Sequence, residues 1–371
     1  MDSPKNVGVV GGGLAGLVAS ILLARRGHPV TLFEKKRYPF HRVCGEYVSN
    51  EVRPFLEREQ LFPAEFSPTR ISRFQLTSVN GRSVVMPLDL GAFGISRYAF
   101  DEFLFRKALE AGVRVVHEEV TLIHQQDDRS VITTGDSTLE ATVVLCAYGK
   151  RSRLDQSLNR PFFKARSPYV GVKYHIKTEH PADLIALHNF KNGYCGISNV
   201  ENGVSNLCYL AHRDLLRAHK TIGQMEEEVL HRNPFLKNIF QNAQFLFAKP
   251  EVINEISFET KQPVEGRLLM LGDAAGMITP LCGNGMAMAI HGAYLASECA
   301  DAYLKGAISR AELEDTYAQR WRKQFALRLW AGRQIQNLFG SESLSNVAVD
   351  LARHLPPVAR VLMKNTHGQP F

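Results

Sequence analysis

Near the start of the chain, in NVGVVGGGLAGLVASILLARRGHPVTLFEK, three glycines and a glutamate have the types and spacing to hold a dinucleotide. Gly11, Gly13 and Gly16 form G-x-G-x-x-G between an apolar strand at Val7–Val10 and an apolar helix expected over residues 14–26. In that setting Gly11 permits a tight turn, and Gly13 lets a pyrophosphate approach the backbone. Gly16 lets the helix pack closely on the strand, with the first-turn N–H groups, Leu14 and Ala15 among them, facing the phosphates. A second strand over residues 29–33 ends in Glu34. Its carboxylate can accept hydrogen bonds from a ribose 2′-hydroxyl and would repel a 2′-phosphate. Lys35, the next residue, is included in the same candidate site.

A later segment, GRLLMLGDAAGMITPLCGNGMAMAIHGAYLAS, decides between dinucleotides. A strand over residues 266–271 runs into Gly272 and Asp273, which places a carboxylate where a polyol hydroxyl can donate to it. NAD has no ribityl chain to use such a group, so the pair points to FAD. Pro280, Gly283, Asn284, Gly285 and Met286 then lead into a long apolar helix over residues 286–304. The N–H groups at its start can face the flavin pyrimidine oxygens and stabilise negative charge on a reduced ring. Taken alone, the segment also fits a plain helix start capped by Asp273.

The 371 residues carry a formal charge of +7, with much of the excess beyond Asp301 in Arg320, Arg322, Lys323, Arg328, Arg333, Arg353 and Arg360. A solvated helix face explains this, and so does attraction to an anionic substrate or membrane surface. Aromatic-interleaved basic modules and recognition-helix patterns are absent, which argues against nucleic acid as a partner. No run of eighteen apolar residues occurs and the chain enters its first strand at once, so the cytoplasm is the expected location, with peripheral membrane contact left open. Six scattered cysteines without a C-x-x-C pair indicate neither a metal site nor a disulfide framework.

The elements that must position these groups follow from periodicity. A helix is expected over residues 97–111, with Phe100, Leu104, Phe105 and Ala108 on one face, then strands over 113–117, 120–125 and 130–134. Residues 138–146 read as one strand returning to the nucleotide sheet. From 169 to 248 alternating strands predict an antiparallel layer, including Phe190, Tyr194, Ile197, Leu207 and Tyr209 as substrate-facing or core residues. The expected fold is α/β: a Rossmann-like cofactor domain (1–75, 95–165 and 250–305) interrupted by a strand-rich substrate domain (76–94 and 166–249), with C-terminal helices (306–371).

These separated motifs resemble the flavoprotein superfamily of p-hydroxybenzoate hydroxylase, aromatic-ring hydroxylases, geranylgeranyl reductases and flavin-dependent halogenases, over essentially the full length. The resemblance implies a GR2-type FAD-binding domain, in which the glycines and Glu34 hold the ADP half and Asp273 the ribityl chain. It also implies that Arg97, in ISRYAFDEFL, contacts the polyol or pyrophosphate, the alternative being a surface arginine paired with Asp101. Val120 and Gly149 join the expected cofactor contacts. The stretch RVCGEYVSNE is most similar to the geranylgeranyl-reductase branch. There Cys44 would lie near the isoalloxazine, Gly45 would let backbone approach the ring, and Arg42 would neutralise phosphate or flavin charge. An inert buried thiol is the alternative for Cys44.

Two departures stand out. CAYGKRSRLD has Tyr148 where the hydroxylases carry the aspartate of an Asp-Gly pair that touches FAD and NADPH, and the halogenase W-x-W-x-I-P signature is missing. The resemblance therefore implies an FAD-dependent oxidoreductase of a small lipophilic or aromatic substrate (polyketide, isoprenoid or aromatic precursor) acting by monooxygenation. Reduction of isoprenoid double bonds is the alternative, and a non-catalytic flavin-binding redox protein a further one. The electron donor stays open between NAD(P)H and a partner reductase.

Overall fold

Val7–Val10 lies at the middle of a six-stranded sheet, flanked in parallel by Val30–Phe33 and Val143–Cys146. Arg114–Val116 extends one side and Leu268–Met270 the other, with the short Val264–Glu265 strand antiparallel at the edge. Parallel strands covered on both faces read as continuous apolar runs, and VGVV and VVLC are fully buried. The helix Leu14–Arg25 is apolar all round because it too is enclosed, between this sheet and the helices Arg97–Glu110 and Gly285–Leu304. The computed structural model describes residues 5–126, 129–164, 167–336, 341–355 and 368–371. Arg360 and the neighbouring part of the expected C-terminal helices lie outside the described residues.

Residues 138–146 form two strands instead of one. Thr138–Ala141 closes a three-stranded antiparallel sheet with Leu122–Gln125 and Ser130–Thr133, whereas Val143–Cys146 joins the parallel sheet. The break falls at Thr142, whose N–H is drawn to the backbone and side-chain oxygens of Asn6, each at 3.1 Å. That long-range pull redirects the chain between sheets, and apolar periodicity cannot reveal it.

The third sheet has nine strands, running from Gln244–Phe245 through Tyr169–Lys177, Ser205–His212, Gly193–Asn199, Leu184–Phe190, Thr69–Thr77 and Ser83–Gly94 to Tyr47–Ser49. Glu251–Ile256 pairs with Tyr169–Lys177. Strand Thr69–Thr77 thus crosses the 75/76 limit drawn from the sequence, and Glu251–Ile256 lies beyond the 249/250 limit.

Successive side chains in a strand point to opposite faces. On one face Val170, Val172, Tyr174, Phe190, Ile197, Leu207 and Tyr209 pack with Met225, Leu230 and Leu236 into a second core. On the other lie Lys173, His175, Asn206, Cys208, Gly196 and Tyr194. Of the five residues weighed as substrate-facing, Tyr194 alone is on this second face, and the other four are core.

The helix Arg310–Gln336 buries Leu313, Tyr317, Trp321 and Phe325 toward Gly285–Leu304, and Glu342–His354 sets Val349 and Ala352 against the nine-stranded sheet. Phe371 stacks on His291 at 3.7 Å. Among the described residues no helix is long and apolar enough to cross a membrane, and no group of His, Cys, Asp or Glu could hold a metal ion. The six cysteines are free thiols.

Candidate functional site

The Gly-rich turn is built as its spacing requires. Gly11 has φ +104°, and a Cβ there would lie 2.4 Å from the Ala147 carbonyl oxygen, so the first turn is tight against the neighbouring strand. A Cβ on Gly16 would fall 1.9 Å from the Gly11 oxygen, which fixes the helix directly on the turn. Gly13 differs: the nearest atom to its Cβ position is the Arg97 guanidinium at 3.7 Å. This open flank, beside a helix whose first turn carries neither a side-chain cap nor an acidic residue, suits a pyrophosphate. Leu14 and Ala15 are buried in that first turn.

Glu34 is nearly fully buried, and its carboxylate is already engaged. It accepts the N–H groups of Gly12 and Lys36, both at 3.0 Å, and pairs with Arg42 at 3.1 Å. A carboxylate has about four acceptor positions, so one is left for a ribose hydroxyl. Tyr38 donates its hydroxyl to the Gly12 carbonyl at 2.5 Å and stacks on Phe105. Lys35 points away, to an exposed pair with Glu119 at 2.8 Å. Val120 is buried in the main core, and Gly149, at φ +89°, turns the chain after Val143–Cys146 with open space at its Cβ position.

Arg97 begins its helix because Ser96 caps it, accepting the Ala99 N–H at 3.1 Å. Its guanidinium grips Asp101 through two bonds of 2.7 Å, as the plainer sequence alternative expects, but at a largely buried position facing Gly13 and not at the surface. Asp101 also receives Arg42 at 3.0 Å, so two cations share one buried carboxylate at the mouth of the crevice. With Glu34 also on Arg42, two guanidiniums and two carboxylates alternate along this edge of the turn.

The late motif folds back onto the same place. Gly272, at φ +56°, has its Cβ position 3.3 Å from the Ala15 side chain, which sets Asp273 beside the first turn of the N-terminal helix. Burial pushes the Asp273 carboxyl above its ordinary range, with Lys261, Arg97 and Lys150 pulling it partly back through charge alone. Lys261 donates to the Asp273 carbonyl at 2.7 Å and is itself lowered to about 8, by burial above all. A carboxylate held by charge and not by hydrogen bonds retains acceptor capacity for a polyol. Beyond it, Gly283 (φ +63°) lies against the Tyr47 ring, Pro280 is exposed, and the Asn284 amide reaches Glu51 at 3.3 Å. The Gly285–Leu304 helix then starts without a side-chain cap.

Cys44 meets Met286 of this helix, sulfur to sulfur, at 3.3 Å, and Gly45 is exposed with nothing near its Cβ position. The two ends of the expected ring site are therefore together. Burial raises the Cys44 thiol, against a smaller lowering by Arg97, so it is a neutral soft contact and not a thiolate nucleophile.

Sequence reasoning missed what stands behind Cys44. Glu46, fully buried at φ +53°, is bonded by Lys173, by His175 Nε2 at 2.7 Å and by the Arg97 N–H at 2.8 Å. Burial would raise its carboxyl, but Lys173 and His175 outweigh that and hold it below the ordinary range. The signal lay in YVGVKYHIK, where a lysine and a histidine share one face of an otherwise apolar strand. Tyr148 donates to Asp155 at 2.8 Å, and Asp155 also pairs with the buried Arg160 at 3.0 Å.

The chain matches the FAD binding domain family over residues 94–331 and an NAD(P)-binding Rossmann-like domain over residues 9–52. It is 23% identical over 350 residues to a tryptophan 2-halogenase of Chondromyces crocatus, covering 88% of this chain and 66% of that protein, so it spans just under two thirds of the halogenase. It is 26% identical over 344 residues to a digeranylgeranylglycerophospholipid reductase of Methanosarcina acetivorans, covering 87% of this chain and 82% of the relative. The p-nitrophenol 4-monooxygenase PnpA of Pseudomonas putida superposes with a TM-score of 0.78 at 17% identity, covering 100% of both chains, which is a likeness of fold.

Proposed function

The chain belongs to the FAD binding domain family, and on that footing we propose that it is an FAD-dependent oxidoreductase that monooxygenates a small lipophilic or aromatic molecule. The residues present fit the cofactor. Gly13 leaves a flank open, Arg97 places its guanidinium beside that flank, and Asp273 keeps acceptor capacity beside the helix start. Bound FAD would supply the two-electron chemistry, either hydride delivery or activation of oxygen.

One observation carries the substrate class. Gly196 and Cys208 sit on central strands of the nine-stranded sheet, yet both are partly exposed, and a Cβ on Gly196 would meet nothing nearer than 3.7 Å. On the same face this open floor borders Leu76, Leu187, Tyr194 and Leu210, a buried apolar cluster covered by Val349 of the Glu342–His354 helix. A flat or chain-like apolar molecule lying there would exclude water from the space beside Cys44. Tyr148, in place of the hydroxylase aspartate and with its hydroxyl tied to Asp155, favours a partner reductase over direct NAD(P)H handling as electron source.

Double-bond reduction is the second reading. It is favoured by Cys44 and Gly45 at the ring end and by the share of the reductase's length that the chain spans, which exceeds the share of the halogenase. The test starts with FAD content, since protein that stays colourless with added FAD refutes both readings. Reduced holoprotein is then offered phenols and prenyl alcohols under labelled dioxygen. Label in the product supports monooxygenation, and anaerobic hydrogen uptake at a double bond supports reduction. Holoprotein inert to the whole panel counts for a non-catalytic redox role.

A further inference from the structure

A carboxylate and an ammonium, both without exposure to water, meet between the nine-stranded sheet and the Cys44 segment. Lys173 pairs with Glu46 and donates on to the Arg42 carbonyl at 3.1 Å. One strand over, Asn206 donates to the Cys44 carbonyl at 3.1 Å. Arg42, Cys44 and Glu46 are thus each tied to the sheet, and Val43 between them packs 3.4 Å from the Cβ position of Gly171. His175 completes the cluster, with its ring stacked on Phe247 and edge-on to His41.

An ionic cluster is a costly way to fasten a loop. Removing charges from water costs several kcal/mol per ion, and apolar replacements of buried ion pairs are often as stable or more so. Directed bonds do what apolar packing does not: they fix the segment along and across the strand as well as against it. The stretch so fixed is the one that carries the two residues at the ring end of the crevice.

We propose that Glu46, Lys173 and His175 are positioning residues that hold Cys44 and Gly45 in register against the flavin ring and thereby set its reactivity. The proposal rests on the crevice being the FAD site. The cluster makes no direct contact with the Gly-rich turn but holds the backbone of Arg42 and Arg97, so the test reads the flavin ring separately from FAD content.

The experiment compares wild type with Lys173→Met, Lys173→Arg and the double variant Glu46→Gln/Lys173→Met, reading FAD content, the visible flavin spectrum and the reoxidation rate of the reduced holoprotein in air. Lys173→Met is expected to shift the spectrum and change the reoxidation rate by about tenfold or more, the scale of a displaced reacting group. Lys173→Arg should restore much of it. If Lys173→Met fails to fold because Glu46 is left uncompensated, the double variant removes both charges together and carries the same test. Variants whose bound flavin keeps the wild-type spectrum and reoxidation rate, whether or not FAD content falls, overturn the proposal and make the cluster a plain staple. Wild-type protein that takes up no FAD overturns the crevice reading along with it.

Discussion

At Asp273 a cost to folding coincides with the role in FAD binding proposed above. Its carboxyl lies above its ordinary range because burial disfavours the charge more than Lys261, Arg97 and Lys150 favour it. A folded value above the unfolded one gives stability that is present at low pH and lost as pH rises through the folded value. At neutral pH the charged group therefore costs the cofactor-free protein stability, and a polyol hydroxyl would supply the missing hydrogen bond. Asp273→Ala should weaken FAD binding by about 1.5–3 kcal/mol, the scale of a bond to a charged group. The melting temperature of the FAD-free protein should stay level or rise. Loss of stability with FAD affinity unchanged would make Asp273 an ordinary helix cap.

The strand, turn and helix at the N-terminus separate binding from packing within six residues. Gly16→Ala drives a Cβ into the backbone of Gly11, and such overpacking costs about 1–3 kcal/mol or more. Gly13→Ala meets only the distant end of Arg97, so its melting temperature should be close to wild type while FAD affinity falls. Equal losses of stability in both variants would show that Gly13 is a packing glycine. These motifs were legible in the sequence because each is local: a buried strand, a turn with one acceptable residue type, and an apolar helix. Long-range partners were not. Alternation told that Lys173 and Tyr174 face opposite ways, but not that the lysine's face looks toward residue 46. Tyr194 could not be told from Phe190, Ile197, Leu207 and Tyr209, which share its apolar character and lie in the second core. The split at Thr142 depends on Asn6, 136 residues earlier.

At the scale of the whole molecule, two buried imidazoles stand furthest below their ordinary range and contribute to behaviour in acid. Burial pushes His188 down to about 3, inside the nine-stranded sheet beside Thr77 and Phe235, with His180 adding a little. Burial, then Arg328 and Arg320, push His291 down to about 4 under Phe371. Unfolded histidines titrate near about 6.5, so the unfolded chain takes up protons that the folded one refuses. Stability is full above that value and falls as pH drops toward 4 and then 3. The urea midpoint should therefore decrease between about pH 7 and 5, and His188→Asn should flatten the dependence. A midpoint flat across that interval in the wild type would rule out neutral burial of these rings. The contact between Glu46 and Lys173 has another consequence, for recombination between relatives. Any crossover placed between those residues brings Glu46 from one parent and the strand Tyr169–Lys177 from the other. A chimera whose second parent lacks the matching cation inherits an orphaned buried carboxylate, a penalty of about 3–5 kcal/mol. Against a total stability of about 5–15 kcal/mol, that is enough to unfold many such hybrids, so the strand Tyr169–Lys177 is safely exchanged only if residue 46 travels with it.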